Sequence, residues 1–324
     1  MVKKAGTLKP VRNAVLLLVF NRPGNTRRVL EAIRQARPGK LYVASDGPRA
    51  SNLNDESTVS EVRELVTRVN WECELHTLFR TGNLGCKRAV SSAIDWFFEH
   101  EQQGLILEDD CLPHQDFFRF CDNLLEKYKY DDRISVITGN NFQNGRSRGS
   151  ASYYFSKYNH CWGWATWRRS WKFYRGDIGF WQNWKTSHDW HRLVPDSVER
   201  RYWERIFERV QKCEIDSWAY PWTASVWHHG GLTATPNVNL VSNIGFGPES
   251  THTASPDSPY SAMQTTEIGE IIHPIIVAQD HCADRFVFET VFGGQFLRYP
   301  RALLTIPHRA YAFLKRILVR LCCN

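Results

Sequence analysis

No CxxC pair occurs anywhere in the 324-residue chain, which removes the usual sequence sign of a structural zinc site or a dithiol redox centre. The nine cysteines, at positions 73, 86, 111, 121, 161, 213, 282, 322 and 323, are odd in number and irregular in spacing. That pattern reads as reduced thiols of a cytosolic protein, not as a disulfide framework. No run reaches the ~20 apolar residues of a membrane span. The stretch Ala14 to Phe20 follows Lys3 and Lys4 as a secretory leader would, yet it is short, runs into "NRPGN" and lacks a small-residue cleavage site. A buried strand accounts for it. There is no internal repeat. Acidic residues are missing after Glu289, where Arg298, Arg301, Arg309, Lys315, Arg316 and Arg320 add six positive charges. With a net charge of +7, the rest of the chain is nearly neutral, which argues against nucleic acid as a partner.

What remains is ordinary for a globular protein: 42% hydrophobic and 23% charged residues, in a length that suits one large α/β domain or two modest ones. The first 140 residues alternate strand and helix signals. "NAVLLLVF" (13–20) is a continuous apolar run, as in a strand covered on both faces. "NTRRVLEAIRQA" follows, with Val29, Leu30 and Ile33 on one helical face and Asn25 as its expected cap. "KLYVAS" (40–45) is a second strand, ending at Asp46-Gly47-Pro48. A helix over about 55–69 carries Val59, Val62, Leu65, Val66 and Val69 on one stripe. "ELHTLF" (74–79) is a third strand, followed by a loop and a helix with Ala89, Val90, Ala93, Ile94 and Phe97 inward. "GLILE" is the fourth. Such repetition predicts an α/β fold: a Rossmann-like, mostly parallel sheet flanked by helices.

In sheets of this kind ligands bind beyond the carboxyl ends of the strands. Asn21-Arg22, Asp46, Arg80 and the triplet Glu108-Asp109-Asp110 all fall there. Three consecutive acids at the end of a buried strand are tolerable if a divalent cation neutralises them, and hard oxygen ligands select Mg²⁺ or Mn²⁺, commonly shared with a substrate diphosphate. Alternation along an extended segment turns Glu108 and Asp110 one way and Asp109 the other. A solvated acidic turn is the plainer alternative for the triplet, as turn initiation is for Asn21 and Asp46-Gly47.

The ordered set "VFNRP", "SDG", "LILEDDCLP", "CWGWATW", "DSWAYPW" and "NLVSNIGFG" resembles nucleotide-diphospho-sugar transferases of the GT-A fold, up to about residue 255. The acid triplet is similar to that of N-acetylglucosaminyltransferase I and its bacterial relatives, in place of the commoner DxD. The resemblance implies a donor half (1–140) and an acceptor and catalytic half of the same domain (141–297); the residues themselves mark a basic tail (298–324). It implies that Asn21 and Arg22 line a nucleoside pocket and that Asp46 bonds uracil or ribose. Arg80, Asn83 and Lys87 would face the diphosphate. Asp110 would ligate Mn²⁺ or Mg²⁺, with Glu108 and Asp109 toward ribose and donor sugar. Asp216 would be the general base of an inverting transfer, its pKa raised by desolvation; a helix N-cap is its plainer role. The second acid that usually follows this base is replaced by Ser217. His252 stands where many GT-A enzymes supply a further metal ligand, though an exposed loop histidine is an ordinary thing.

Eleven of the 13 tryptophans lie between Trp162 and Trp227. Most of these rings are expected to fill core, with Trp162, Trp164 and Trp218 on the acceptor side. The Gly-, Pro-, Ser- and Thr-rich stretch 245–267 reads as a long loop closing over the donor. In the tail, Leu314, Ile317, Leu318 and Leu321 fall at helical spacing among basic residues, a pattern for packing on the protein itself or for docking peripherally on an anionic cytoplasmic membrane face near lipid-linked acceptors. The resemblance thus implies sugar transfer from a nucleotide-diphospho-sugar to a glycan or glycolipid, as in bacterial surface-polysaccharide synthesis. A noncatalytic carbohydrate-binding protein is one rival. A sugar nucleotidyltransferase is another, but that chemistry usually has a Gly-rich loop after strand one, and "FNRPGNTRR" offers one glycine.

Overall fold

A computed structural model describes residues 10–247 and 258–299. The strands are β1 (Ala14–Val19), β2 (Lys40–Ser45), β3 (Glu74–Phe79), β4 (Gln103–Glu108), β5 (Cys111–Pro113), β6 (Ile134–Thr138), β7 (Tyr153–Ser156), β8 (Trp164–Trp167), β9 (Leu232–Pro236) and β10 (Val241–Asn243). The longer helices are α1 (Pro23–Ala36), α2 (Asp55–Thr67), α3 (Cys86–His100), α4 (Gln115–Lys127), α5 (Ser197–Gln211), α6 (Ala219–His228) and α7 (His281–Thr290).

Eight strands form one sheet in the order β3-β2-β1-β4-β8-β6-β9-β7. The first four are mutually parallel, β8 runs antiparallel to both of its neighbours, β9 is parallel to β6, and β7 antiparallel to β9. The fold is therefore mixed α/β with a mostly parallel sheet between helical layers, and strands from both sides of residue 140 share it. Every residue of β1 is buried: Val15, Leu17 and Val19 join the core under α1, α2 and α4, whereas Leu16 and Leu18 join the aromatic core on the other face. A continuous apolar run is what a strand covered twice requires.

Helix α1 starts two residues before the expected Asn25. Pro23 occupies the first turn and Arg22 the cap position, with no side-chain cap bond. Proline presets the helical φ there and its missing N–H goes unused, so Asn25 is an interior residue whose amide donates to the Ile244 carbonyl at 3.4 Å. Helix α2 ends at Thr67, short of Val69, and its last buried residue is Val66. Of the eleven tryptophans of the second half, ten are buried, so that segment is chiefly an indole core behind the sheet. The two-stranded β5–β10 pair folds "NIGFG" back over the acid triplet: Ile244 N–H donates to the Asp110 carbonyl at 2.8 Å. Gly245 is obligatory at this crossing, because a Cβ would lie 2.2 Å from Asp110 Oδ2.

Candidate active site at the carboxyl edge of the sheet

A cavity of about 1050 Å³ opens at the carboxyl ends of β1, β2 and β4. Its lining includes Asn21, Arg22, Asp46, Arg80, Asn83, Glu108, Asp109, Asp110, Trp162, Asp216 and Trp218. Residues separated by almost 200 positions thus share one wall.

The acids come first. Arg22 Nη1 donates to Asp110 Oδ2 at 2.9 Å and stands 3.8 Å from Asp109 Oδ1. Asp109 Oδ2 accepts the Phe20 N–H at 3.2 Å, so Asp109 is tied to the end of β1 while Asp110 pairs with the guanidinium. Burial, and then the Asp110 charge, push both Glu108 and Asp109 above the usual carboxylate range, and Arg22 offsets this in part. One arginine against three carboxylates leaves the triplet short of positive charge, and its oxygens are the donor type of a hard divalent cation. Among the described residues no group of three or more His, Cys, Asp or Glu side chains is placed to hold a metal ion. A cation shared with a diphosphate needs only one or two protein carboxylates, and Asp110 fits that smaller requirement. His252 lies outside the described residues.

Asp46 organises backbone. Its carboxylate accepts N–H groups from Gly47 (2.9 Å), Leu84 (3.0 Å) and Gly85 (3.2 Å). Burial raises its pKa against the opposing pull of those bonds and of the Arg80 charge. Gly47 must be glycine, since a Cβ there would sit 2.4 Å from the Gly82 carbonyl carbon, and its own carbonyl accepts from the Asn83 amide at 2.9 Å. The "SDG" turn is thereby clamped onto the loop that leads into α3. Asn21 bonds Asp55 Oδ1 at 2.9 Å, and Asp55 is also gripped by Arg49. Arg80 donates to Ser92 Oγ at 2.7 Å. The Lys87 side chain is not on the cavity wall; its stem lies 3.6 Å from where a Gly176 side chain would begin.

Lys87 contributes differently: its backbone N–H donates to Asp216 Oδ1 at 3.1 Å. Asp216 therefore meets the first turn of α3, and Gly85, at φ 78, leaves room for it. The positive end of a helix faces this carboxylate. Asp216 does not cap its own helix: Trp218 holds the cap position without a side-chain cap bond, and Ser217 Oγ accepts the Ala219 N–H just ahead of it. Nor is Asp216 desolvated as expected; it lines the cavity but is exposed.

Trp218 lines the cavity with its back stacked on Trp164 at 5.4 Å, and Trp164 is 1% exposed and off the wall. Trp162 is partly exposed and on the wall. Sequence reasoning missed Arg49 and Asp55, which fix the loop after β2, and Arg63, whose guanidinium bonds the Asp46 and Arg80 carbonyls. An arginine on the polar side of a helix carries no sequence signal of such a role.

Comparison with protein-family models gives no match, and comparison with curated protein sequences gives none either. Among solved structures, a UDP-glucose pyrophosphorylase complexed with UDP-glucose is similar over 45% of this chain, at 10% identity and a TM-score of 0.26. The chain spans 62% of that protein.

Proposed function

We propose that the chain is a metal-dependent glycosyltransferase moving a sugar from a nucleotide-diphospho-sugar, a UDP-sugar in the simplest case, to a hydroxyl of a glycan or glycolipid, with inversion at the anomeric carbon. The observation that supports this reading is that one cavity is lined by the strand-end acids and Arg22 together with a separate, exposed carboxylate, Asp216. A site for a charged diphosphate and a site for a proton acceptor are what such a transfer needs.

In this reading Asn21, Arg22 and Asp46 hold the nucleoside, and Arg80 and Asn83 the diphosphate. Asp110 would hold Mn²⁺ or Mg²⁺, with Glu108 and Asp109 toward ribose and donor sugar. The ion, when bound, supplies Lewis-acid stabilisation of the departing diphosphate. Asp216 takes the proton of the acceptor hydroxyl as its oxygen bonds the anomeric carbon and the bond from that carbon to the diphosphate oxygen breaks. The Lys87 N–H fixes one carboxylate oxygen and leaves the other for that proton. Trp162 and Trp218 form part of the acceptor wall. The chain between β1 and α1 is short and has no glycine before Gly24, which favours transfer over nucleotidyl chemistry.

The test is purified protein with Mn²⁺ and a panel of nucleotide-sugars, read for hydrolysis and transfer. Release of nucleoside diphosphate with an inverted sugar is expected. Binding without turnover would favour a carbohydrate-binding protein, and pyrophosphate-dependent formation of nucleoside triphosphate would favour a nucleotidyltransferase.

A further inference from the structure

The outer edge of the sheet carries a feature that the cavity does not use. β7 pairs with β9 on one side, and its other side is crossed by residues 272–280. Ser152 N–H donates to the Ile272 carbonyl at 2.8 Å, and Asp280 N–H donates to the Phe155 carbonyl at 2.7 Å. Between those two bonds the chain of β7 advances ~10 Å, whereas the segment opposite would reach about 26 Å if extended. The surplus chain cannot lie flat, so it arches outward. Ile275 is fully exposed on this arch, with Ile276 at 72% and Ile272 at 55%. Apolar side chains gathered in water on one short segment mark a surface that gains by being covered.

The base of the arch is fixed. Ser152 Oγ accepts the Ile272 N–H at 2.8 Å and donates to the Glu270 carbonyl at 2.9 Å. His273 Nδ1 lies 2.9 Å from the Tyr153 hydroxyl, itself 2.6 Å from that of Tyr128. Cations flank it. Burial, and then the nearby Lys127 charge, lower the His273 pKa. Arg146 and Arg148, from the loop before β7, stand 4.5 and 5.8 Å from the Phe286 ring. That ring belongs to α7, the helix into which the arch runs, and the exposed Arg285 precedes it. None of these four cations forms an ion pair among the described residues. Two acids adjoin the arch: the exposed Glu270, and Asp280, whose carboxylate caps α7 by accepting the Ala283 N–H at 2.8 Å. Positive charge prevails.

We propose that this arch docks the protein on an anionic lipid bilayer, the isoleucines entering the interface while Lys127, Arg146, Arg148 and Arg285 meet the headgroups. Apolar burial together with attraction to anionic lipid is what holds a protein at such an interface. A second copy of the chain fits worse. A two-fold contact sets the same patch against itself, so the cations would face their own kind. Three isoleucines also fall far short of the roughly 800 Å² that each partner of a stable complex buries. A protein groove would have to be shaped to a projecting tip, whereas a fluid interface takes it unshaped. None of these residues lines the cavity, so the docking surface stands whether or not the cavity transfers sugar.

The test mixes full-length protein with vesicles of phosphatidylcholine, alone or with phosphatidylglycerol added, followed by co-sedimentation and amide hydrogen exchange. Wild-type protein is expected to partition about tenfold or more in favour of the anionic vesicles, with slower exchange over residues 272–278 on binding. Ile275→Ser/Ile276→Ser should weaken partitioning by about tenfold or more. Arg146→Gln/Arg285→Gln should weaken it about fivefold per cation removed. The inference is overturned if wild-type protein stays in solution, if either double variant sediments like wild type, or if vesicles leave exchange over 272–278 unchanged. Binding through the basic tail alone would give the last two results. A wild-type dimer that Ile275→Ser/Ile276→Ser turns monomeric in light scattering would assign the arch to a second copy instead. Should the isoleucine variant lose its cooperative unfolding transition, the arginine variant and the exchange of wild-type protein decide.

Discussion

Arg22 Nη1 lies 2.9 Å from Asp110 Oδ2, and this pair ties the end of β1 to the end of β4. Both side chains are largely buried, at 18% and 16% exposed, so removing the cation strands a charge among like charges. Arg22→Gln is expected to destabilise the fold by about 3 kcal/mol, the lower end for one partner of a buried pair. Millimolar Mg²⁺ or Mn²⁺ should restore part of the loss, since a ligand of the native state stabilises by mass action. Thermal unfolding with and without the ion is the measurement. Absence of any recovery would count against a cation at the triplet.

Asp216→Asn should leave UDP affinity unchanged and lower sugar transfer by ~10²-fold or more, as loss of a general base does. Binding by calorimetry beside turnover of a UDP-sugar separates the two. Turnover near the wild-type rate would remove Asp216 from the chemistry.

Much of the first 140 residues was legible because a strand covered on both faces must be apolar throughout. β1, β2 and β4 announce themselves in this way, and their ends carry the polar groups of the site. The second half was less legible. β8 is "WATW", four buried residues that read as part of an aromatic run, yet it inserts antiparallel between β4 and β6. Nothing local reveals that placement. The same holds for contacts across great sequence distance: the Lys87 N–H to Asp216 bond joins residues 129 apart, and a backbone donor leaves no trace in residue type. The resemblance put Lys87 near the diphosphate; its side chain is not among the cavity lining, and its amide meets Asp216. Asn25 looked like a cap because its side chain suits one, but Pro23 starts the helix earlier.

Gly47→Ala tests the clamp between the "SDG" turn and the loop before α3. A methyl group 2.4 Å from the Gly82 carbonyl carbon must push the two segments apart and loosen the bonds from Leu84 and Gly85 to Asp46. A stability loss of about 1–3 kcal/mol is expected, the usual range for overpacking, together with weaker UDP binding. Unchanged UDP affinity would show that this loop does not shape the nucleotide site.

Asp55 gives a pH signature. Its hydrogen bonds with Arg49, opposed by burial and helped by Asn21, hold its pKa at about 2, below the ordinary ~3.9 of the unfolded chain. A depressed carboxylate pKa stabilises the fold above the unfolded value, and the contribution is lost as pH falls toward 2. Asp55→Asn should therefore cost on the order of 2 kcal/mol at neutral pH. Urea unfolding of both proteins should converge between pH 4 and pH 2. A difference independent of pH would mean that packing, not charge, is what the substitution disturbs.

The most direct test is calorimetric titration of UDP into wild-type protein and Asp110→Ala, each with and without Mn²⁺. Wild-type protein should bind UDP with an affinity that rises steeply with Mn²⁺, and Asp110→Ala should lose that dependence while remaining folded. Equal UDP binding by both proteins, with or without the ion, would contradict a metal–diphosphate site at the end of β4.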